Sequence, residues 1–164
     1  MPKIDIPEGA DPIHLRALSL RPEYKQPWVD MVHAVHDDSI LSVREREVSR
    51  LRIAWANGCL MCQAARPEAE VPEAVYADVL EWRTSRQYSD RERLCIEFTE
   101  RFALDHESLD DAFFDKLREH FSEEEIFDLT YSCARNLGFG RLTHVLGLDD
   151  SCEIGVVSAL SASV

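Results

Sequence analysis

Cys59 and Cys62 are the residues of this chain best placed to do chemistry. On the first turn of a helix the C-x-x-C spacing brings two sulfurs within bonding reach, and the helix N-terminus favours the thiolate, the reactive form of cysteine. Gly58, just before the pair, lets the backbone turn sharply into such a helix. The pair is expected to cycle between dithiol and disulfide, with Cys62, inside the turn, the more reactive thiol. The competing reading is of two buried structural cysteines that happen to lie three apart. Cys95 and Cys133 stand beside apolar helical stripes and are expected to be small hydrophobes of the core. Cys152 lies in the tail and is given no role. Five cysteines, an odd number, argue against a structural disulfide framework and for a reducing compartment.

The elements that must carry these residues are helices. Asp11-Pro12 reads as N-cap and N1 proline of a short helix reaching about Ser19. Pro27 opens a second, with Trp28, Met31, Val32 and Val35 on one face. Ser42…Glu45 is a capping box for a third, carrying Val48, Leu51 and Trp55 inward, and Asn57-Gly58 ends it. The next segment starts at the cysteines and stops before Pro67. Pro72 opens a helix with Val75, Val79 and Trp82 at helical spacing. Ser89…Glu92, Ser108…Asp111 and Ser122…Glu125 repeat the capping pattern, followed by apolar stripes such as Leu94/Phe98/Phe102 and Ile126/Leu129/Cys133/Leu137. No segment alternates as a strand does. The expected fold is all-α, a single-domain bundle of about seven helices over residues 12–148. Residues 149–164 form a tail, either a frayed end or an arm against a neighbouring subunit.

Composition sets the remaining bounds. With 45% hydrophobic and 30% charged residues the chain is globular. Its net charge of −13 repels phosphates and anionic lipid, so neither nucleic acid nor a membrane is expected as a partner. There is no apolar run near the about 20 residues that cross a bilayer. The first residues, Met1-Pro2-Lys3-Ile4-Asp5, lack a signal core, and a cytoplasmic location is expected.

The stretch from Arg46 through Glu47, Arg50 and Trp55 to Asn57-Gly58-Cys59-Leu60-Met61-Cys62 resembles the signature of the AhpD-like, carboxymuconolactone decarboxylase family, which includes partners of alkyl hydroperoxide reductase. That family places a glutamate on the preceding helix twelve residues ahead of a C-x-x-C. Ser89–Leu94, Leu117–Ile126 and Asn136–Thr143 also resemble the family's later helices. The resemblance implies an obligate homo-oligomer (dimer, trimer or hexamer) and a thiol-dependent peroxidase or disulfide reductase. Its partners would be a small peroxide or disulfide substrate and a thiol electron donor, with no cofactor and no metal. By position Cys62 would attack, Cys59 would resolve and Glu47 would relay protons. A partly buried Glu47 has a raised pKa and can exchange protons near neutrality, whereas a solvated one would simply pair with Arg50 or Arg44.

Two departures from the family's pattern bear on the chemistry. Redox-competent members carry a histidine four residues after the second cysteine, and some have another between the cysteines; here these are Arg66 and Met61. Arginine cannot shuttle protons, although Arg66 can stabilise a thiolate or hold an anionic substrate. His144, next to Arg141, is the residue that could replace the absent imidazole through space. A zinc site joining His33 and His36 to the cysteines, and a substrate pocket lined by Trp28, Trp55 and Trp82, are weaker readings than helix surface and core. Two other functions compete: a cofactor-free lyase acting on a small carboxylated lactone, held by Arg66, and a non-catalytic oligomeric relative.

Overall fold

The structure, a computed structural model, describes residues 1–149. Eight α-helices run through them: α1 Ile13–Leu18, α2 Lys25–His36, α3 Val43–Ala56, α4 Leu60–Ala64, α5 Glu73–Ala77, α6 Asp90–Leu104, α7 Asp111–Arg118 and α8 Glu123–Val145. Three single turns of 3₁₀ helix join them, and no strand occurs among the described residues. The fold is all-α, as expected. None of the described helices is long and apolar enough to cross a membrane. The expected tail lies outside the described residues, apart from Asp149.

The three long central helices start on closed capping boxes. The hydroxyls of Ser42, Ser89 and Ser122 accept the N–H of Glu45, Glu92 and Glu125, whose carboxylates accept the serine N–H in return (2.9, 2.7 and 2.8 Å). Arginines then tie these caps together. Arg91 reaches both Glu45 (2.6 Å) and Glu125 (2.7 Å), and Arg44 pairs with Glu92. The N-termini of α3, α6 and α8 are therefore cross-linked at one end of the bundle.

Helix α3 packs against both α6 and α8, so its buried arc is wide. Val48, Leu51 and Ile53 meet Ile96 and Phe98 of α6 and Leu129 of α8 in one apolar cluster, closed by Leu117. Each such side chain contributes about 1.5–3 kcal/mol by leaving water. Trp55, expected inward, is instead 42% exposed. In the last turn of α3 the buried positions are Ile53 and Ala54, and residue 55 falls outside that arc.

Smaller corrections have local causes. Pro12 sits at the cap position of α1, and α2 begins at Lys25, leaving Pro27 in its first turn, where a missing N–H removes no bond. Ser108 closes a 3₁₀ turn and donates to Asp105 O (2.7 Å); Asp110 caps α7 instead, accepting from Phe113 N (2.9 Å). The helix after Pro72 breaks at Asp78, yet Val75, Val79 and Trp82 all reach the core.

Candidate active site

The turn between α3 and α4 is built by its backbone. Gly58 has φ +66°, a conformation that side chains with a Cβ rarely adopt. Its N–H donates to Trp55 O (3.2 Å) and that of Cys59 to Ala54 O (3.1 Å), the paired bonds of a Schellman ending. Cys59 thereby closes α3 and, as N-cap, opens α4. Asn57 fixes the same turn from beneath, donating to the carbonyls of Asn136 and Leu137 (both 3.3 Å) while its own side-chain oxygen accepts from Arg141 (3.2 Å). A Cβ at Gly140 of α8 would collide with the Asn57 amide, so that glycine permits the close approach.

On this turn Cys59 and Cys62 are joined as a disulfide, with their Cα atoms 5.3 Å apart. The Cys62 N–H also donates to Cys59 Sγ (3.3 Å). Cys59 is fully buried at 0% exposure, whereas Cys62 is partly exposed, so an incoming reactant meets Cys62 first. Cys95 and Cys133 are free and buried, and burial drives both thiols up, Cys133 to about 12. They stay protonated and inert.

Glu47 lies on the face of α3 toward α4 and is only 3% exposed. Its carboxylate pairs with Arg50 (2.5 Å), one turn on, and not with Arg44. Burial raises its pKa above the usual carboxylate value, and the attraction of Arg50 only partly offsets this. Arg50 reaches onward, donating to Cys62 O (2.6 Å) and Ala65 O (3.2 Å). One guanidinium thus connects the buried acid to the backbone of the turn that carries Cys62. Outward, Glu68 and His36 also act on Glu47, and His36 Nε2 meets Glu68 at 3.1 Å.

Tyr76 of α5 belongs to the same cluster. Its hydroxyl is buried with no hydrogen-bond partner among the described residues. Burial first, then the nearby Glu47, push its pKa to about 12, so it remains a proton donor at neutral pH. Arg66 stacks over its ring at 4.1 Å. The spacing of Glu47 and Arg50 made their pairing foreseeable. Nothing in the sequence marked Tyr76, which lies off the Val75/Val79 stripe, or the reach of Arg50 to Cys62.

The other expected site residues are placed as follows. Arg66 donates to both oxygens of Glu73 (2.9 and 2.8 Å) and to the carbonyls of Gln63 and Ala65, so its donors are engaged along α4 and α5. His144 sits beside the turn between α3 and α4: a Cβ on Gly58 would lie 3.7 Å from its ring. Its Nδ1 meets the buried Asp149 at 2.9 Å. A second Schellman ending, at Gly147 (φ +66°), brings Asp149 back to it. His33 and His36 pair with Asp37, and no cluster of three or more metal-ligating side chains forms among the described residues. Trp28 packs edge-on against Phe139 (5.8 Å) and Trp82 is buried, so with Trp55 exposed the three tryptophans line no common pocket.

Residues 22–101 match the family model described as "Carboxymuconolactone decarboxylase family". The uncharacterized protein YdfG of Bacillus subtilis is 25% identical over 134 residues, covering 78% of this chain and 90% of that protein. Among solved structures, an alkylhydroperoxidase AhpD core from Ralstonia eutropha, an uncharacterized peroxidase-related protein, superposes with TM-score 0.74 at 23% identity, covering 86% of this chain and 78% of its own. The debrominase Bmp8 superposes with TM-score 0.74 at 17% identity, covering 83% of this chain and 75% of its own. At these identities the structural likeness establishes the fold.

Proposed function

We propose that this chain, which the family match assigns to the AhpD-like, carboxymuconolactone decarboxylase family, is a thiol-dependent oxidoreductase, a peroxidase or disulfide reductase, working through Cys59 and Cys62. The observation that carries the reading is the pairing of a C-x-x-C disulfide with a buried, raised-pKa glutamate through one arginine.

In the reduced protein the Cys62 thiolate attacks the terminal oxygen of a hydroperoxide. The S–O bond forms, the O–O bond breaks, and the alcohol leaves with one proton. The Cys59 sulfur then attacks the resulting sulfenic acid, forming the S–S bond and releasing water. An external dithiol returns two electrons and two protons, reopening the pair. With a disulfide substrate the same thiolate attacks sulfur, and Cys59 releases the reduced product from the mixed disulfide. Protonated Glu47 is the group that supplies a proton to the leaving oxygen or sulfur, and its carboxylate recovers one as Cys62 ionises.

A homo-oligomer belongs to the same proposal. Leu60, Phe127 and Val145 stand mostly in solvent on the single chain. The lyase alternative relied on Arg66 for a carboxylate, and Glu73 already occupies that guanidinium. The test of the redox reading is turnover of an alkyl hydroperoxide and of a small disulfide with a dithiol donor. Consumption of either, lost in Cys62→Ser, supports it. Equal rates in both proteins would refute it.

A further inference from the structure

Closing the disulfide requires two proton transfers that one residue does not perform together. As Cys59 attacks the Cys62 sulfenic acid, the departing hydroxide takes up a proton and the Cys59 thiol gives one up. Glu47 enters that step protonated, as the acid, and is not a base in the same instant. Cys59 is 0% exposed, so bulk water does not meet its sulfur. A second group is needed on the Cys59 side, and His144 is the imidazole that lies there.

His144 stands on the face of α8 that meets α3. Cys133, Leu137, Gly140 and His144 follow at helical spacings and form one line along the helix. Gly140 touches Asn57, and the next turn brings His144 over Gly58. The exposed Phe127, Tyr131, Leu142 and Val145 lie on a different line. A Cβ on Gly58 would be 3.7 Å from Cε1 and 3.8 Å from Nε2, so the Nε2 edge of the ring lies against the turn that leads into Cys59. The opposite edge is held by Asp149, whose side chain is only 5% exposed and meets Nδ1 at 2.9 Å. A carboxylate only accepts, so Nδ1 carries a proton, and in the neutral ring Nε2 is an acceptor. Asp149 is placed in turn by the Gly147 ending, where the Leu148 N–H donates to Thr143 O (2.9 Å). The other charged groups around the ring are Arg141, one turn back and donating to Asn57 and Ala103 O (3.0 Å), and Met1 and Lys3 of the N-terminal segment packed on Leu146 and Gly147.

We propose that His144, oriented by Asp149, is the base that receives the Cys59 proton, directly or through one water, as Cys59 closes the disulfide. In that step the Cys59 sulfur bonds to Cys62 Sγ and the S–O bond breaks. Glu47 gives its proton to the departing hydroxide, which leaves as water, and Nε2 takes the proton of Cys59. Asp149 stabilises the imidazolium that forms. Solvent then returns a proton to Glu47 and removes one from His144. The inference rests on the thiol reading and supplies the base which that reading lacks.

The test is rapid mixing of the reduced Cys152→Ser protein with dithiobis(nitrobenzoate), an aromatic disulfide whose released thiolate is coloured. Attack by Cys62 releases the first thiolate and leaves a mixed disulfide on Cys62. Attack by Cys59 releases the second, so Cys59→Ser should abolish that phase alone. This thiolate leaves without a proton, which separates the base from Glu47. His144→Gln should lower the ratio of second-phase to first-phase rate by about 10²-fold or more, and Asp149→Asn should lower it by less. From about pH 7 to 8 the second phase of the parent should be nearly flat, while that of His144→Gln should climb about tenfold as the Cys59 thiolate forms. His144→Ala with added imidazole should regain part of the lost rate, because the ring is half exposed. A ratio in folded His144→Gln within about twofold of the parent, with the same pH slope, would overturn the proposal and leave the thiol reading intact. Equal slowing of both phases would do the same, since a residue that only props the turn acts on both. A parent protein without the Cys62 phase would overturn the thiol reading and this inference with it.

Discussion

Arg50 and Arg52 stand two residues apart on α3, and each meets a glutamate, yet the pKa values of the two acids are shifted in opposite directions. Glu47 is sealed from solvent with one arginine, and that arginine also serves two carbonyls of the next turn. Burial wins, and its pKa rises. Burial acts on Glu100 of α6 as well, but it accepts from Arg83 (2.6 Å), from Arg52 at two nitrogens (3.0 and 2.8 Å) and from the Trp82 indole (3.2 Å). These donors together outweigh burial and hold Glu100 down to about 2. What separates an acid whose pKa is raised from one whose pKa is lowered is the number of donors set against desolvation, not the presence of an arginine.

Substitution separates the two acids. Glu47→Gln should lower peroxide or disulfide turnover by about 10²-fold or more, the usual worth of a positioned acid or base, with the thiols still able to form their disulfide. Steady-state rates beside a thiol count measure this. Unchanged turnover would place Glu47 among the struts. Glu100→Gln should leave turnover per folded molecule unchanged and cost about 1–3 kcal/mol of stability in denaturant unfolding at pH 7, since it weakens bonds to two guanidinium groups.

Acid titration of stability extends the contrast, because the signs differ. Glu100 has a depressed pKa, so its contribution is present above the ordinary value of 4.5 and is lost as pH falls toward about 2. Glu47 has a raised pKa, so its contribution is full below the ordinary carboxylate value and is lost as pH climbs through its folded value. Against the parent, the Glu100→Gln deficit in melting temperature should therefore grow as pH rises from about 2 to 4.5, whereas the Glu47→Gln difference should change in the opposite sense and only above 4.5. Parallel curves would contradict the assignment.

The smallest effect is expected at Arg66. Its partner Glu73 is exposed, with 71% of its side chain in solvent, so Arg66→Ala should cost less than about 1 kcal/mol. It should also leave the pH dependence of Cys62 alkylation in place. A clear rise in the pH needed for alkylation would restore Arg66 to the site as a thiolate contact.

The fold was largely legible because capping and periodicity are local. Ser42, Ser89 and Ser122 close the boxes their spacing predicts, and Asn57-Gly58 ends α3 where it should. What depended on tertiary packing was not legible. Trp55 fits the same periodic stripe as Leu51, and only the positions of α6 and α8 decide that it faces solvent. Within the site, the pair and Glu47 could be named from spacing and resemblance. That Arg50 bridges Glu47 to Cys62, and that Tyr76 turns an unpartnered hydroxyl toward the same cluster, depends on how α4 and α5 fold back. His144 illustrates the limit. Its nearness to Gly58 is a contact across many residues, fixed by Asn57 holding α3 against α8.

The decisive measurement is a redox titration of the full-length protein in dithiol/disulfide buffers, with alkylation at each poise and mapping by mass spectrometry. Cys59 and Cys62 are expected to become available to the alkylating agent at the same poise, as one reversible two-electron couple. Cys62 should label first, and Cys95 and Cys133 should stay protected until the protein is unfolded. Independent labelling of Cys59 and Cys62, or labelling of all four at one rate in the folded protein, would contradict it.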